Sequence, residues 1–79
     1  MKLIEERIAR ILLDDFKIRH DFIGPETTFA ELSFDSLVIV ELTMALDSEF
    51  GVALGEGTLT DQMTIADAAE LIVGKGAVA

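Results

Sequence analysis

The chain has 79 residues, enough for one small domain, and hydrophobic residues make up 51% of it, too many for a disordered segment. Without cysteine it has no disulfide staple, no zinc–thiolate site and no thiol nucleophile of its own. Fifteen acidic residues against six basic ones leave a net charge of −9, and no apolar run approaches the ~18 residues of a membrane span. The opening MKLIEERIAR is too densely charged for a signal peptide. These features predict a single soluble, cytoplasmic domain spanning 1–79, with a frayed tail over 75–79.

The bases are placed unevenly. Lys2, Arg7, Arg10, Lys17 and Arg19 fall in the first nineteen residues and Lys75 in the tail, while eleven acids and no Lys or Arg lie between His20 and Gly74. Such a surface repels phosphate backbones, which argues against nucleic acid, and steers basic protein partners instead.

In chain order, Ile4, Ile8, Ile11/Leu12 and Phe16 recur at helical spacing from Met1 to about Lys17. Glu6 and Arg10 are placed as an i,i+4 pair on the other face. Residues 18–34 show no sustained period and hold the single proline, Pro25, beside Gly24. Ile18, Phe22, Ile23, Phe29, Leu32 and Phe34 are too apolar for a free linker and predict a loop pinned to the helices. Thr28 and Glu31 have capping-box spacing and suit one helical turn.

Asp35 is a strong N-cap, and the periodic stretch Leu37–Phe50 ends at Gly51, suited to a left-handed cap. Ile39, Leu42, Leu46 and Phe50 share one face of this helix. A second row, Ser36, Leu37, Val40, Glu41, Met44 and Asp47/Ser48, mixes apolar and acidic residues, which a purely solvated face does not need. Gly51, Gly55 and Gly57 mark a flexible stretch, Thr58–Met63 suits one short helical turn, and Thr64 with Asp67 opens a last helix with Ile65, Ala68/Ala69 and Ile72 as its buried stripe. The fold class is therefore all-α: three main helices and a short one.

Catalytic chemistry finds little material. His20 has no serine or metal partner nearby in sequence, and the carboxylate pairs Glu5-Glu6 and Asp14-Asp15 diverge on a helix. No phosphate-binding glycine loop and no calcium-binding loop is present, and no metal site is expected. Ser36 stands out at a helix start with the mixed row running away from it. A phosphate ester is tolerated at a helix N-terminus, although Asp35 opposes part of a benefit of only about 0.3–1 kcal/mol. Accessibility where loop meets helix is the stronger reason to single it out.

The segment Phe29-Ala30-Glu31-Leu32-Ser33-Phe34-Asp35-Ser36-Leu37, followed by Val40-Glu41-Leu42 and Ala45-Leu46-Asp47-Ser48-Glu49-Phe50-Gly51, resembles the acyl carrier protein family over essentially the whole chain. The resemblance implies a four-helix bundle with a long loop between helices I and II. It implies that a phosphopantetheinyl transferase esterifies Ser36 with 4′-phosphopantetheine from coenzyme A, so that the cofactor supplies the thiol a cysteine-free chain lacks. Asp35 is implied to help place metal and serine in the transferase complex. Leu37, Val40, Glu41, Met44 and Asp47 match the face that docks on basic patches of partners such as a ketosynthase and an acyltransferase or acyl ligase. Ile39, Leu42, Leu46 and Phe50, with Ile65 and Ile72, are implied to line an interior where an acyl chain shelters. The chain is then a monomeric carrier and not an enzyme.

Two departures bear on the pathway. Ser33 stands where the family usually has glycine, which makes the turn into helix II less permissive of positive φ. Val38 and Ile39 replace the acidic or polar pair usual after Asp-Ser-Leu in primary fatty-acid carriers, and Phe34 is more typical of polyketide and other specialised carriers. These point to a discrete carrier of a specialised polyketide or unusual fatty-acyl pathway, and a start at Met1 without flanking linkers agrees with a stand-alone subunit. The alternatives are a primary fatty-acid carrier, a peptidyl or aminoacyl carrier, and an unmodified acidic helical adaptor.

Overall fold

The computed structural model describes residues 2–76 apart from 20, 22, 25 and 56. Three helices form: α1 (Lys2–Asp14), α2 (Ser36–Phe50) and α3 (Ile65–Gly74). No strand is present among the described residues. The expectations for His20, Phe22 and Pro25, and for the end of the tail, lie outside them.

The helix boundaries follow from their caps. Asp35 Oδ1 accepts the Val38 N–H at 3.0 Å, the N-cap bond that starts α2. Gly51 ends α2 at φ 64°, and the N–H groups of Gly51 and Val52 both donate to the Asp47 carbonyl. Thr64 and Asp67 form a reciprocal capping box at the start of α3. The first helix ends at Asp14, three residues short of the expected limit, and Lys17 beyond it sits at φ 59°.

Each helix turns its apolar stripe inward. Ile4, Ile8, Ile11 and Leu12 of α1 meet Ile39, Leu42 and Leu46 of α2 and Ile65, Ala68, Ala69 and Ile72 of α3 in one cluster. α1 and α3 pack directly against each other, and the small Ala68 and Ala69 of α3 are fully buried. Arg7 ties α1 to the end of α2: its guanidinium lies 4.4 Å from the Phe50 ring and 2.9 Å from Glu49 Oε2. Both members of that ion pair are about two-fifths exposed or near it, so the link contributes about 1 kcal/mol at most. Among the described residues the ion pairs are Arg7–Glu49 and Arg19–Asp21; the expected Glu6–Arg10 pair is not formed.

The short helix expected within 58–63 is not formed either. The described residues there make turns, one of them closed by the Met63 N–H donating to the Thr60 carbonyl at 3.2 Å. The Thr58 hydroxyl donates to the Leu54 carbonyl at 2.6 Å, and the Thr60 N–H points at the Met63 sulfur at 3.4 Å. Gly55 and Gly57, both at φ 82°, bend the chain so that Leu54 and Leu59 reach the core.

The long loop, residues 15–35, is pinned by its aromatic residues as expected. Phe29 and Phe34 are buried, and Ile18, Ile23 and Leu32 pack against the same cluster. Two backbone bonds then tie it to the segment before α3: Phe29 N–H to Met63 O at 3.1 Å and Ala30 N–H to Asp61 O at 2.8 Å, beside a single β-bridge between Thr28 and Thr64.

Candidate functional site

The approach to Ser36 is a capped turn. Thr28 and Glu31 form a reciprocal capping box, with Glu31 Oε1 accepting the Thr28 N–H at 3.3 Å and Thr28 Oγ1 accepting the Glu31 N–H at 3.2 Å. The turn closes with Ser33 N–H donating to Ala30 O and Phe34 N–H donating to Phe29 O, the two bonds of a Schellman motif. Its accompanying apolar contact is the stack of Phe29 on Phe34, with centroids 5.9 Å apart, and Phe16 packs on Phe34 at 5.6 Å.

The motif needs a left-handed residue at its end, and Ser33 occupies that position at φ 66°. The serine therefore does not prevent positive φ; it adopts it under strain. A left-handed non-glycine residue costs about 1–2 kcal/mol, against about 0.5–1 kcal/mol for the extra chain freedom of glycine. Ser33→Gly is expected to stabilise the protein by up to about 1 kcal/mol, raising Tm by a few degrees in thermal unfolding followed by circular dichroism.

With that turn held, Asp35 is fixed as the cap and Ser36 is the first residue of α2. Ser36 is exposed, and no described residue bonds its hydroxyl. Asp35 Oδ1 accepts the Val38 N–H, and the carboxylate accepts no bond from Ser36. From Ser36 a row runs down α2 through Ile39, Val40, Thr43, Met44 and Asp47, spaced by threes and fours. This row forms one wall of a half-open groove whose other wall is made by Gly55, Gly57, Leu59, Thr60 and Asp61. Two adjoining hollows compose it. One, of about 300 Å³, holds Ser36, Leu59, Thr60 and Asp61; the next, of about 280 Å³, holds Thr43, Met44, Asp47 and Gly55. Ile39, Val40, Gly57 and Leu59 line both. A larger hollow of about 470 Å³ opens beside Lys17, Arg19, Glu31 and Ser33, but Ser36 does not line it.

The remaining sequence candidates separate clearly. Leu37, Val40, Glu41 and Met44 are exposed on one side of α2, and Leu37 and Met44 keep 66% of their surface in water. Asp47 is half-buried, and its Oδ1 accepts the Leu54 N–H at 3.1 Å, so this carboxylate also anchors the loop after α2. Of the residues expected to line an interior acyl site, Ile39 borders the groove. Leu42, Leu46, Ile65 and Ile72 are packed in the core and line none of these hollows, and Phe50 lies under Arg7. Among the described residues no three His, Cys, Asp or Glu side chains converge as metal ligands, and no helix is long and apolar enough to cross a membrane.

The family model described as "Phosphopantetheine attachment site" matches residues 6–72, which take in the turn, Asp35, Ser36 and the whole groove. The chain belongs to the acyl carrier protein family. It is 32% identical over 73 residues to the "Acyl carrier protein" of Nitratidesulfovibrio vulgaris strain DP4, covering 91% of this chain and 96% of that one. It is 33% identical, with the same coverage, to the protein of that name from the Miyazaki F strain of the species. No solved structure matches it.

Acyl carrier proteins are carriers rather than catalysts, act with biosynthetic enzymes, and hold 4′-phosphopantetheine covalently; that group is the cofactor of this carrier. An exposed, unbonded hydroxyl at a helix start fits such an attachment. Sequence reasoning missed Thr43, Gly57 and Leu59 as groove residues. Thr43 was within reach, since it continues the Ser36–Ile39–Val40 row by helical spacing. Gly57 and Leu59 carried no such signal, because their place depends on how the segment after α2 folds back.

Proposed function

We propose that Ser36 is the attachment point, and that this chain shuttles acyl thioesters for a specialised polyketide or unusual fatty-acid pathway. The observation that carries the attachment is the exposed Ser36 hydroxyl itself, without a hydrogen-bond partner among the described residues, on a turn held by the packing of Phe16, Phe29 and Phe34. In the transferase, Ser36 Oγ gives up its proton and bonds the phosphorus of the phosphopantetheine, displacing adenosine 3′,5′-bisphosphate. Once attached, the cofactor supplies the thiol that forms the acyl thioester. Asp35 holds the helix start in place through Oδ1, and Oδ2, to which no described residue donates, would be the oxygen available to the transferase's metal.

The pathway reading rests on sequence around the site. Val38 and Ile39 turn toward the core, where an acidic or polar pair would be poorly accommodated, and Phe34 is committed to the aromatic stack. Docking on basic patches of a phosphopantetheinyl transferase, a ketosynthase and an acyltransferase or acyl ligase would use Leu37, Val40, Glu41 and Met44. Asp47 borders that face with a carboxylate partly taken by Leu54. The chain acts as a cytoplasmic monomer and performs no catalysis of its own.

Incubation with coenzyme A and a broad-specificity phosphopantetheinyl transferase tests the reading. One phosphopantetheine per chain is expected by intact mass, located by peptide mapping at Ser36; no gain by folded protein would favour an unmodified docking adaptor. Glu41→Lys is expected to slow transfer to partner enzymes severalfold at low salt and less at high salt, with Tm unchanged. Equal rates at low salt would remove Glu41 from the docking face.

A further inference from the structure

We propose that the groove beside Ser36 selects cargo by polarity: it shelters acyl chains bearing an amino or hydroxyl group near their far end and turns away those ending in carboxylate. The inference rests on attachment at Ser36.

Ile39, Val40, Met44 and Leu59 give the groove an apolar middle suited to methylene groups. Its polar points lie toward the two ends. Asp61 is beside Ser36 at the mouth, and Asp47 lies eleven residues further along α2, about 16 Å at the helical rise; the extended arm is about that long itself, so a cargo's far end meets Asp47 only with the arm folded at the mouth. Among the described residues the groove's charged groups, Asp47 and Asp61, are carboxylates. No cation can come from either wall, because the sequence contains no Lys or Arg between His20 and Gly74.

The far end is a cluster of acceptors. The Thr43 hydroxyl spends its proton on the Ile39 carbonyl at 2.8 Å, so it offers the groove lone pairs. Asp47 holds the Leu54 N–H with Oδ1, and no described residue donates to Oδ2. A chain whose end donates a hydrogen bond would satisfy these acceptors, and an ammonium would also pair with the half-buried charge. A terminal carboxylate would bring a like charge to Asp47 with no donor to offset it. A plain alkyl chain falls between, filling the middle while leaving the acceptors to water.

The test loads four eight-carbon cargoes through coenzyme A analogues: octanoyl, 8-hydroxyoctanoyl, 8-aminooctanoyl and octanedioyl. Intact mass confirms loading, and failure of all four would overturn attachment itself as well as this inference. With loading confirmed, amide shifts of Leu54 and Gly55 and the rate of thioester cleavage by hydroxylamine report shelter. The amino and hydroxy cargoes are expected to move the Leu54 amide and to be cleaved at least threefold more slowly than the octanedioyl cargo. Asp47→Asn keeps an acceptor for Leu54 but removes the charge, and is expected to shrink the amino-to-octanedioyl gap to less than twofold. Thr43→Val, of similar shape, is expected to reduce protection of the hydroxy cargo. Equal cleavage of amino and octanedioyl cargoes in the parent protein overturns the proposal. So does an unchanged gap in Asp47→Asn; should that variant not fold, an unchanged hydroxy cargo in Thr43→Val overturns it instead.

Discussion

Ser36→Ala is expected to fold like the parent protein and to take up no phosphopantetheine. The helix cap is the Asp35 carboxylate, bonded to the Val38 N–H, and the Ser36 hydroxyl has no described partner. Its removal therefore breaks no bond, and alanine is slightly the better helix former, by a few tenths of a kcal/mol. Unfolding in urea should show an unchanged or slightly raised midpoint, while intact mass after incubation with coenzyme A and transferase shows no gain. Asp35→Ala separates structure from chemistry in the other direction, since losing the cap costs about 1 kcal/mol. Phosphopantetheine uptake by folded Ser36→Ala would place the attachment elsewhere.

Phe29→Ala is expected to be the most damaging single truncation. The ring is fully buried, it stacks on Phe34, and Phe34 in turn packs on Phe16. Removing a buried phenyl ring costs about 3–5 kcal/mol, transfer and cavity together. A chain of this length has about 4–12 kcal/mol of total stability, so the variant should lie near the edge of folding. Tm should fall by at least about 12 °C, and modification of Ser36 should slow, because the Schellman turn that presents Asp35 loses its apolar contact. Phe29→Leu, which keeps most of the volume, should be clearly milder. A loss below about 1 kcal/mol for Phe29→Ala would show that the loop is not held through this ring.

The three helices were legible because their signals are local. Ile4, Ile8 and Leu12, or Ile65, Ala68 and Ile72, fall on one face whatever the rest of the chain does, and Asp35, Gly51, Thr64 and Asp67 cap without distant partners. The Thr28–Glu31 capping box was legible for the same reason. What failed was the stretch after α2. Three glycines in seven residues read as slack, yet Leu54 and Leu59 are buried as deeply as the helical stripes. The stretch expected to be a short helix instead makes turns, with the Thr58 hydroxyl reaching back to the Leu54 carbonyl and the Thr60 N–H pointing at the Met63 sulfur. Asp47 read as a docking carboxylate, and nothing in the sequence marks the Leu54 N–H seven positions on as its partner.

The chain's own residues were sufficient to determine an acidic, all-helical domain and a serine at the start of its second helix, since periodicity and capping are set within a few positions. Tertiary structure alone decided where the open space lies. Leu42 and Leu46 of α2 are packed in the core and border neither hollow of the groove, whereas the Ser36–Asp47 row faces a segment bent by Gly55 and Gly57 and held to the Phe29–Ala30 backbone through Asp61 and Met63. A groove is the gap between surfaces brought together from distant parts of the chain, so no local pattern encodes it.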